Sequence, residues 1–174
     1  MFNKTLLRTL PLNKMSPIVE NNRTLPAATT NGSNTFGCLV NDSLFLTNPI
    51  PGQQKSVYGE FQYYNQIKGI NIYADDFTAN RSLVIFFYNP DSLVIGKEYD
   101  LTSPEFFIQY IDFNKPPACT YRSMVKGHIM ITRFTVSASE RIISGTFSFT
   151  AESDECDEEV TISEGRFDVS DISE

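Results

Sequence analysis

The densest group of side chains capable of chemistry lies between residues 152 and 159. Six carboxylates fall within these eight residues: Glu152, Asp154, Glu155, Asp157, Glu158 and Glu159. Several oxygen ligands around a tight loop are what Ca²⁺ requires, so a calcium loop is the first hypothesis. The stretch lacks the glycine and the alternating ligand spacing of an EF-hand loop. We therefore predict a solvated turn, whose like charges protect a hairpin from edge pairing, and no metal site.

Groups typical of catalysis are sparse elsewhere in the chain. His128 is the only histidine, so a histidine relay lacks partners, and we interpret it as a solvated residue at a strand start. No Gly-x-Ser-x-Gly elbow, phosphate loop or dinucleotide fingerprint occurs, and we predict no enzyme and no cofactor. A hydrolase with paired carboxylates from distant strands stays open as the alternative. The available carboxylates include Asp75, Asp76, Asp91, Asp100 and Asp112.

Tyrosines concentrate in one stretch between residues 58 and 73 that contains no tryptophan. Tyrosine on the outer face of a sheet can stack on sugars or anchor a protein partner. We therefore predict a binding surface for a glycan or a surface protein. Its residues are Tyr58, Tyr63, Tyr64 and Tyr73. The competing interpretation is that about half of the aromatic side chains in this stretch fill the core.

Composition limits the class of protein. The chain has 174 residues, of which 41% are hydrophobic and 20% charged, so it suits one folded domain. A net charge of −7 disfavours nucleic acid as a partner, because such binding depends on Lys and Arg. No apolar run is long enough for a transmembrane helix. Arg8, Pro11 and Lys14 interrupt the first residues, so no export signal is visible.

The pattern of the chain changes near residue 34. Residues 1–33 carry three prolines and little periodicity, which predicts an extended leader or linker before a single β domain at 34–174. From there, short β-branched and aromatic runs alternate with turn residues. Asn41 and Asp42 predict a hairpin between "TFGCLV" and "SLFL". A second hairpin joins "VYGEFQYY" to "GINIYA", with Phe61 and Tyr63 on one face. "SLVIFFY" is apolar on both faces, which is typical of a central strand covered on both sides.

The C-terminal half predicts an antiparallel meander. Four segments, "CTYRSMV", "HIMITRFTV", "RIISGTFSFTA" and "EVTI" with "GRFDV", follow one another through short connections. In the third, apolar and small polar residues alternate, so one face meets a core. No apolar stripe of helical period persists. The fold class is therefore all-β, an antiparallel β-sandwich of about eight to ten strands, with a flattened β-barrel as the alternative.

Three cysteines are too few for a disulfide scaffold. Cys38 fits a buried thiol within a strand. A turn at Lys126 and Gly127 would place Cys119 and Cys156 at opposite ends of the meander. Seven residues of strand span roughly 23 Å, whereas a disulfide requires Cα atoms within about 7 Å. We therefore predict that all three cysteines are free thiols.

Four segments in order resemble an uncharacterised family of Bacteroidota-type lipoproteins, a β-rich domain of unknown function. They are "NTFGCLVND", "GHIMITRF", "IISGTFSFTA" and "VTISEGRFDV", and the resemblance covers roughly residues 25–170. It implies a domain exported to the cell envelope, in the periplasm or at the cell surface, and tethered through a lipidated cysteine and a linker like "TLPAATTNGSN". It implies no reaction. We expect a non-catalytic envelope module for binding or assembly.

Overall fold

Runs of β-branched and aromatic residues form two β-sheets that face each other. The computed structural model describes residues 24–48, 55–64, 67–137 and 139–174, with the side chains of residues 64 and 67 outside the description. The first sheet has the order β2-β1-β11-β10-β9-β6. Its strands are β1 (Thr35–Val40), β2 (Ser43–Leu46), β6 (Glu98–Asp100), β9 (Ser123–Val136), β10 (Arg141–Ser153) and β11 (Glu158–Val169).

The second sheet has the order β12-β3-β4-β5-β7-β8. Its strands are β3 (Val57–Tyr64), β4 (Ile67–Asp76), β5 (Arg81–Tyr88), β7 (Phe106–Asp112), β8 (Cys119–Tyr121) and β12 (Ile172–Ser173). All pairings are antiparallel except that of β12 with β3. A 3₁₀ turn, Pro90–Ser92, follows β5. The predicted antiparallel sandwich is confirmed, and the described strands do not close into a barrel.

The described residues form twelve strands, more than the eight to ten predicted. The additional strands β6 and β12 contain only three and two residues. A period of two cannot be recognised over so short a run, because it shows at most one full alternation. These strands therefore depend on neighbours from distant parts of the chain.

Both predicted hairpins of the N-terminal half are confirmed. Asn41 and Asp42 connect β1 to β2 with φ values of 46° and 63°, the left-handed conformation that a two-residue turn requires. Strands β3 and β4 pair along their lengths, and Tyr64 opposite Ile67 is the last pair. Their connection, residues 65–66, lies outside the described residues.

One core lies between the sheets. The alternation predicted for β10 is confirmed, since Ile143, Phe147, Phe149 and Ala151 are all buried. Aromatic rings join the two sheets across the core, with the centroids of Phe87 and Phe167 6.3 Å apart. The prediction of a buried thiol at Cys38 is confirmed. Burial raises the pKa of Cys38 to about 12, so the thiol stays protonated and unreactive at neutral pH.

The prediction that all three cysteines are free is wrong. Cys119 and Cys156 form a disulfide with their Cα atoms 5.8 Å apart. No turn interrupts the chain at Lys126 and Gly127, because β9 runs straight through them. Gly127 meets a close neighbour there, since a Cβ atom on it would lie 2.1 Å from the carbonyl oxygen of Ser148. Glycine is thus required by close packing within a strand rather than by a turn.

The predicted strand "CTYRSMV" belongs to both sheets. Its first part is β8 of the second sheet, and its last part begins β9 of the first sheet. β9 then pairs with β10 as far as Glu152 opposite Ser123. The chain between β8 and β9 therefore lies beside the β10–β11 turn that contains Cys156, and this proximity permits the disulfide. The order β9-β10-β11 agrees with the last three of the four segments of the predicted meander.

Candidate functional site

The outer face of the first sheet is polar and is crossed by residues 24–33, which we call the covering segment. Its strongest attachment is the carboxylate of Asp168 on β11, which is only 1% exposed. Asp168 accepts hydrogen bonds from the Thr29 hydroxyl at 2.7 Å and from the Ser144 hydroxyl at 2.6 Å. The backbone N–H groups of residues 31, 32 and 33 donate to the same carboxylate at 3.1, 2.9 and 3.0 Å.

The protonation of Asp168 is set by these donors. Burial alone would raise its pKa, but the Ser144 hydroxyl, the backbone N–H groups and the Thr29 hydroxyl together lower the pKa to about 2. The charged carboxylate therefore holds the covering segment on the sheet at neutral pH. These contacts attach the last ten residues of the predicted leader to the domain. Residues 1–23 lie outside the described residues, and the boundary at residue 33 stays a prediction.

The outer face of the second sheet is rich in aromatic and β-branched side chains. Cross-strand partners share a face, and the register aligns Tyr58 with Tyr73, Tyr73 with Val84 and Phe86 with Phe107. We call this surface the aromatic face. Its members are Tyr58, Tyr73, Val84, Phe86, Tyr88, Phe107 and Ile111. Beyond the two sheets and the Pro90–Ser92 turn, the described residues contain no secondary-structure element that covers it.

Ring contacts order the aromatic face. Tyr58 and Tyr73 stack with centroids 4.9 Å apart and planes inclined by 22°. Phe86 and Tyr88 meet edge to face at 4.4 Å. Phe86 is buried because its ring lies over Gly69, where a Cβ atom would approach the ring to 2.2 Å. Phe107 on the neighbouring strand is 39% exposed. These ring contacts order the side chains on this face.

Polar groups lie between the rings on β3 and β4. Asn71 is only 5% exposed, and its Nδ2 amide finds no acceptor among the described residues. Gln62 donates weakly to the Tyr73 hydroxyl at 3.3 Å. Burial, and then the charges of Asp75 and Glu60, raise the pKa of Tyr58. The Tyr58 phenol therefore stays protonated at neutral pH and can donate a hydrogen bond.

The four predicted binding tyrosines do not form one surface. Tyr58 and Tyr73 lie together on the aromatic face. Tyr63, which is 74% exposed, lies on the opposite side of β3 with Phe61. The side chain of Tyr64 lies outside the described residues. The sharing of one face by Phe61 and Tyr63 agrees with the prediction, and it separates Tyr63 from the other two.

The sequence interpretation named only Tyr58 and Tyr73 of the seven members of the aromatic face. Val84, Phe86 and Tyr88 belong to "SLVIFFY", which we predicted to be covered on both sides. β5 is indeed central in its sheet, but its second apolar side carries the aromatic face. A run that is apolar on both faces indicates either a buried strand or a strand with a docking surface. The signal was therefore present in the sequence and ambiguous.

Tyr63 borders a groove at one end of the sandwich, which we call the end groove. It has a volume of about 510 Å³ and lies where the β3–β4 hairpin approaches the β9–β10 turn. Its lining residues are Phe61, Tyr63, Lys68, Val136, Ser137, Arg141 and Glu174. The groove combines two cationic side chains with an exposed phenol ring.

The acidic stretch forms the β10–β11 turn and the ends of both strands. Among its carboxylates, Glu158 forms an ion pair with Lys115 and accepts a hydrogen bond from the Tyr121 hydroxyl at 3.0 Å. The hydrogen bond from Lys115, followed by that from Tyr121, lowers the pKa of Glu158. The described residues contain no group of three or more His, Cys, Asp or Glu side chains placed to hold a metal ion.

Several candidate catalytic carboxylates have local structural partners. Asp76 is buried and pairs with Arg81 at 2.7 Å within the β4–β5 hairpin. Asp100 and Asp112 each accept a hydrogen bond from a backbone N–H two residues later, at 2.8 and 3.0 Å. Asp75 accepts a hydrogen bond from the hydroxyl of Ser82. These contacts stabilise turns and strand ends.

The other candidate groups are exposed. Asp91 lies in the Pro90–Ser92 turn. His128 is exposed on β9, with its Nδ1 atom 3.8 Å from a carboxylate oxygen of Glu98. It lies within the strand instead of at its start, because β9 begins five residues earlier. The solvated position of His128 agrees with the prediction.

Among the described residues, no helix is both long and apolar enough to cross a membrane.

No curated protein and no solved structure shows significant similarity to the chain. One family matches, over residues 83–169, and it is described as a domain of unknown function, DUF6252. The matched segment contains most of β5 and all of β6 to β11. The chain therefore belongs to the DUF6252 family.

Proposed function

We propose that the protein is a non-catalytic binding module that docks a protein partner on the aromatic face. The observation that carries this proposal is the row of aromatic and β-branched side chains on the outer side of β3, β4, β5 and β7. An antiparallel sheet with one solvated face normally carries polar residues there. Tyr and Phe are instead enriched at the centres of protein interfaces, where charged residues are depleted.

The ring geometry favours a protein over a glycan on this face. Sugars stack on an aromatic ring whose flat side is open, whereas Tyr58 and Tyr73 use their flat sides on each other. Phe86 likewise receives the edge of Tyr88 or presents its own edge to it. A surface rich in aromatic and β-branched side chains suits an apolar patch on a protein partner. The protonated phenol of Tyr58 can donate a hydrogen bond to that partner.

The charged residues on the aromatic face indicate the charge of the partner's surface. Among the outward positions of the described strands β3, β4, β5 and β7, the charged residues are Glu60 and Asp75. Both are acidic, so a partner with a basic rim fits best. Two copies of this chain would bring like charges together. A different protein is therefore the better occupant.

We place this module in the cell envelope, tethered as a lipoprotein. The resemblance to Bacteroidota-type lipoproteins supports the placement. The Cys119–Cys156 disulfide also supports it, because disulfides persist in exported proteins and are rare in the cytosol of most bacteria. Cell fractionation with labelling of lipidated proteins tests the placement. An unlipidated protein confined to the cytosol would contradict it.

Photo-crosslinking in the producing cells tests the docking proposal. A photoreactive phenylalanine analogue at Phe107 reports on the aromatic face, and the same analogue at Ser148 reports on the outer face of the first sheet. We expect one protein adduct from position 107 and none from position 148. The variant Tyr73→Arg should abolish that adduct while leaving the thermal unfolding cooperative.

Two results would contradict the proposal. Equal adducts from both positions would indicate non-specific collision, and an adduct that survives Tyr73→Arg would place the contact elsewhere. A glycan array probed with the purified domain decides the other class of partner. Glycan binding that is lost in Tyr73→Arg, without a protein adduct, would replace the protein partner with a sugar. The hydrolase alternative gains no support, because Asp76, Asp100 and Asp112 serve local structure.

A further inference from the structure

We infer that the end groove is a second binding site, and that it takes an acidic sugar, a pyranose ring that carries a carboxylate. The site uses residues of both sheets and none of the aromatic face. Phe61, Tyr63 and Lys68 come from the β3–β4 hairpin, and Val136 and Arg141 come from the ends of β9 and β10. A volume of about 510 Å³ falls within the usual range for small-ligand pockets.

The first requirement, recognition of a carboxylate, is met by two cations. Arg141 donates through Nη1 to the carbonyl oxygen of Ile172 at 3.1 Å, which fixes the plane of its guanidinium group. A fixed guanidinium presents its remaining N–H groups in the geometry that carboxylates accept. Lys68 adds a second positive charge, with its Nζ atom 4.2 Å from the centroid of the Phe61 ring. Both cations border the same groove in a chain of net charge −7.

The second requirement, a surface for the sugar ring, is met by Tyr63. Its side chain is 74% exposed at the mouth of the groove. Unlike Tyr58 and Tyr73, it has no ring stacked on it among the described residues. An exposed phenol can cover the C–H side of a pyranose, and its hydroxyl can bond to the sugar hydroxyls. Phe61 and Val136 supply the apolar part of the lining.

A carboxylate of the chain already occupies part of this groove. The side chain of Glu174 forms an ion pair with Nη2 of Arg141 and lines the groove. Its side chain is 82% exposed, so little holds it in place apart from Arg141. A ligand carboxylate would compete with Glu174 for the same guanidinium. Removal of Glu174 should therefore strengthen binding, which a merely structural ion pair would not predict.

Saturation-transfer NMR with glucuronate and with glucose tests the inference on the whole chain. We expect binding of glucuronate and much weaker binding of glucose. Glu174→Ala should tighten glucuronate binding about two- to fivefold, the range expected for an exposed ion pair. Glu140→Ala is the matched control, because Glu140 pairs with Arg133 on β9 and does not line the groove. It should leave the affinity unchanged.

Three further variants separate the roles of the lining residues. Tyr63→Ala should weaken glucuronate binding and leave the binding of acetate unchanged, because acetate has no ring to stack. Arg141→Lys should weaken both anions. Since Arg141 also holds Ile172, Lys68→Gln repeats the charge test at a side chain without that contact. Thermal unfolding confirms that each variant is folded.

Each remaining result overturns the inference. Absence of saturation transfer to glucuronate would do so, as would equal binding of glucose. An affinity unchanged in Glu174→Ala, Tyr63→Ala and Lys68→Gln would show that the anion binds elsewhere. An acidic peptide that binds as well as glucuronate, independently of Tyr63, would identify a peptide site instead.

Discussion

The two outer faces of the sandwich differ in their side chains and in the contacts that these side chains make. The polar outer face of the first sheet is crossed by the chain's own residues 24–33, which bond to the buried carboxylate of Asp168. On the aromatic outer face of the second sheet, by contrast, the described ring contacts and hydrogen bonds join side chains of the sheet's own strands. Apolar burial therefore does not explain which face the covering segment occupies. Specific hydrogen bonds do.

This contrast distinguishes surface that serves the fold from surface that serves a partner. The contacts of Asp168 are satisfied within the chain, and little is gained there from a ligand. On the aromatic face, Phe107 is 39% exposed and Tyr58 is only partly buried, so these side chains can contact a partner. Substitutions should accordingly change stability on the first face and binding on the second.

The largest effect is expected where the two sheets are covalently linked. The disulfide joins β8 of the second sheet to the β10–β11 turn of the first over a separation of 37 residues. Replacing Cys119 and Cys156 by Ser should lower the free energy of unfolding by about 4 kcal/mol, from the loop-closure entropy of the unfolded chain. Chemical denaturation measures this difference. With reductant, the native chain should unfold at the same midpoint as the double variant.

Thiol counting supplies the check on that prediction. The denatured native protein should show one free thiol without reductant, that of Cys38, and three with it. Three free thiols without reductant would show that Cys119 and Cys156 are not linked, and would contradict the prediction.

The second-largest effect on stability is expected on the outer face of the first sheet. Asp168→Ala removes the acceptor of five hydrogen bonds and leaves buried donors unpaired, which should cost about 3 kcal/mol of unfolding free energy. The covering segment should also become open to proteolysis between residues 24 and 33. Asp171→Ala is the control, because Asp171 pairs with the exposed Lys55. Equal stability of the two variants would show that the covering segment is not anchored by Asp168.

Acid should loosen the first face in a defined range of pH. The pKa of Asp168 is lowered to about 2 in the folded protein, so its stabilisation is complete above its ordinary pKa near 4 and is lost as the pH falls towards 2. A lowering of about two units corresponds to about 2–3 kcal/mol. Denaturation between pH 5 and pH 2 should therefore show a steeper loss for the native chain than for Asp168→Ala. Parallel curves would exclude this role of Asp168.

The smallest effect on stability is expected on the aromatic face of the second sheet. Tyr58→Ser and Phe107→Ser change side chains that are only partly buried, and each should lower the unfolding free energy by less than about 1 kcal/mol. Phe147→Ala in the core is the comparison, with an expected cost of about 3–5 kcal/mol. Tyr58→Ser should nevertheless lose the protein adduct that forms from position 107. A loss of several kcal/mol in either would assign the aromatic face to the fold.

Much of the fold is local and was therefore predictable. The positive φ of Asn41 and Asp42 and the alternation of β10 are properties of neighbouring residues. The crossing from β8 to β9 was not predictable, because the period of two continues through Arg122 while the chain changes sheets. The disulfide followed from that crossing. A two-residue alternation indicates which side of a strand each side chain is on. It does not indicate to which sheet the strand belongs.

The candidate sites were predictable in composition and not in arrangement. Tyrosine enrichment indicated a binding surface, and alternation placed Tyr63 with Phe61. The end groove also needs Arg141, which lies across the sandwich and 78 residues further along the chain from Tyr63. The covering segment shows no periodicity, because its backbone N–H groups bond to a side chain more than 130 residues away.

The place of β1 in the first sheet has a consequence for biosynthesis. β1 lies between β2 and β11, and the Thr161 N–H donates to Asn41 across 120 residues of sequence. A ribosome releases β1 long before β11, so one edge of the β1–β2 hairpin has no partner until most of the chain has emerged. Such late pairing slows folding and leaves a strand edge open to other chains. We expect that nascent chains truncated before β11 bind chaperones that full-length chains no longer need.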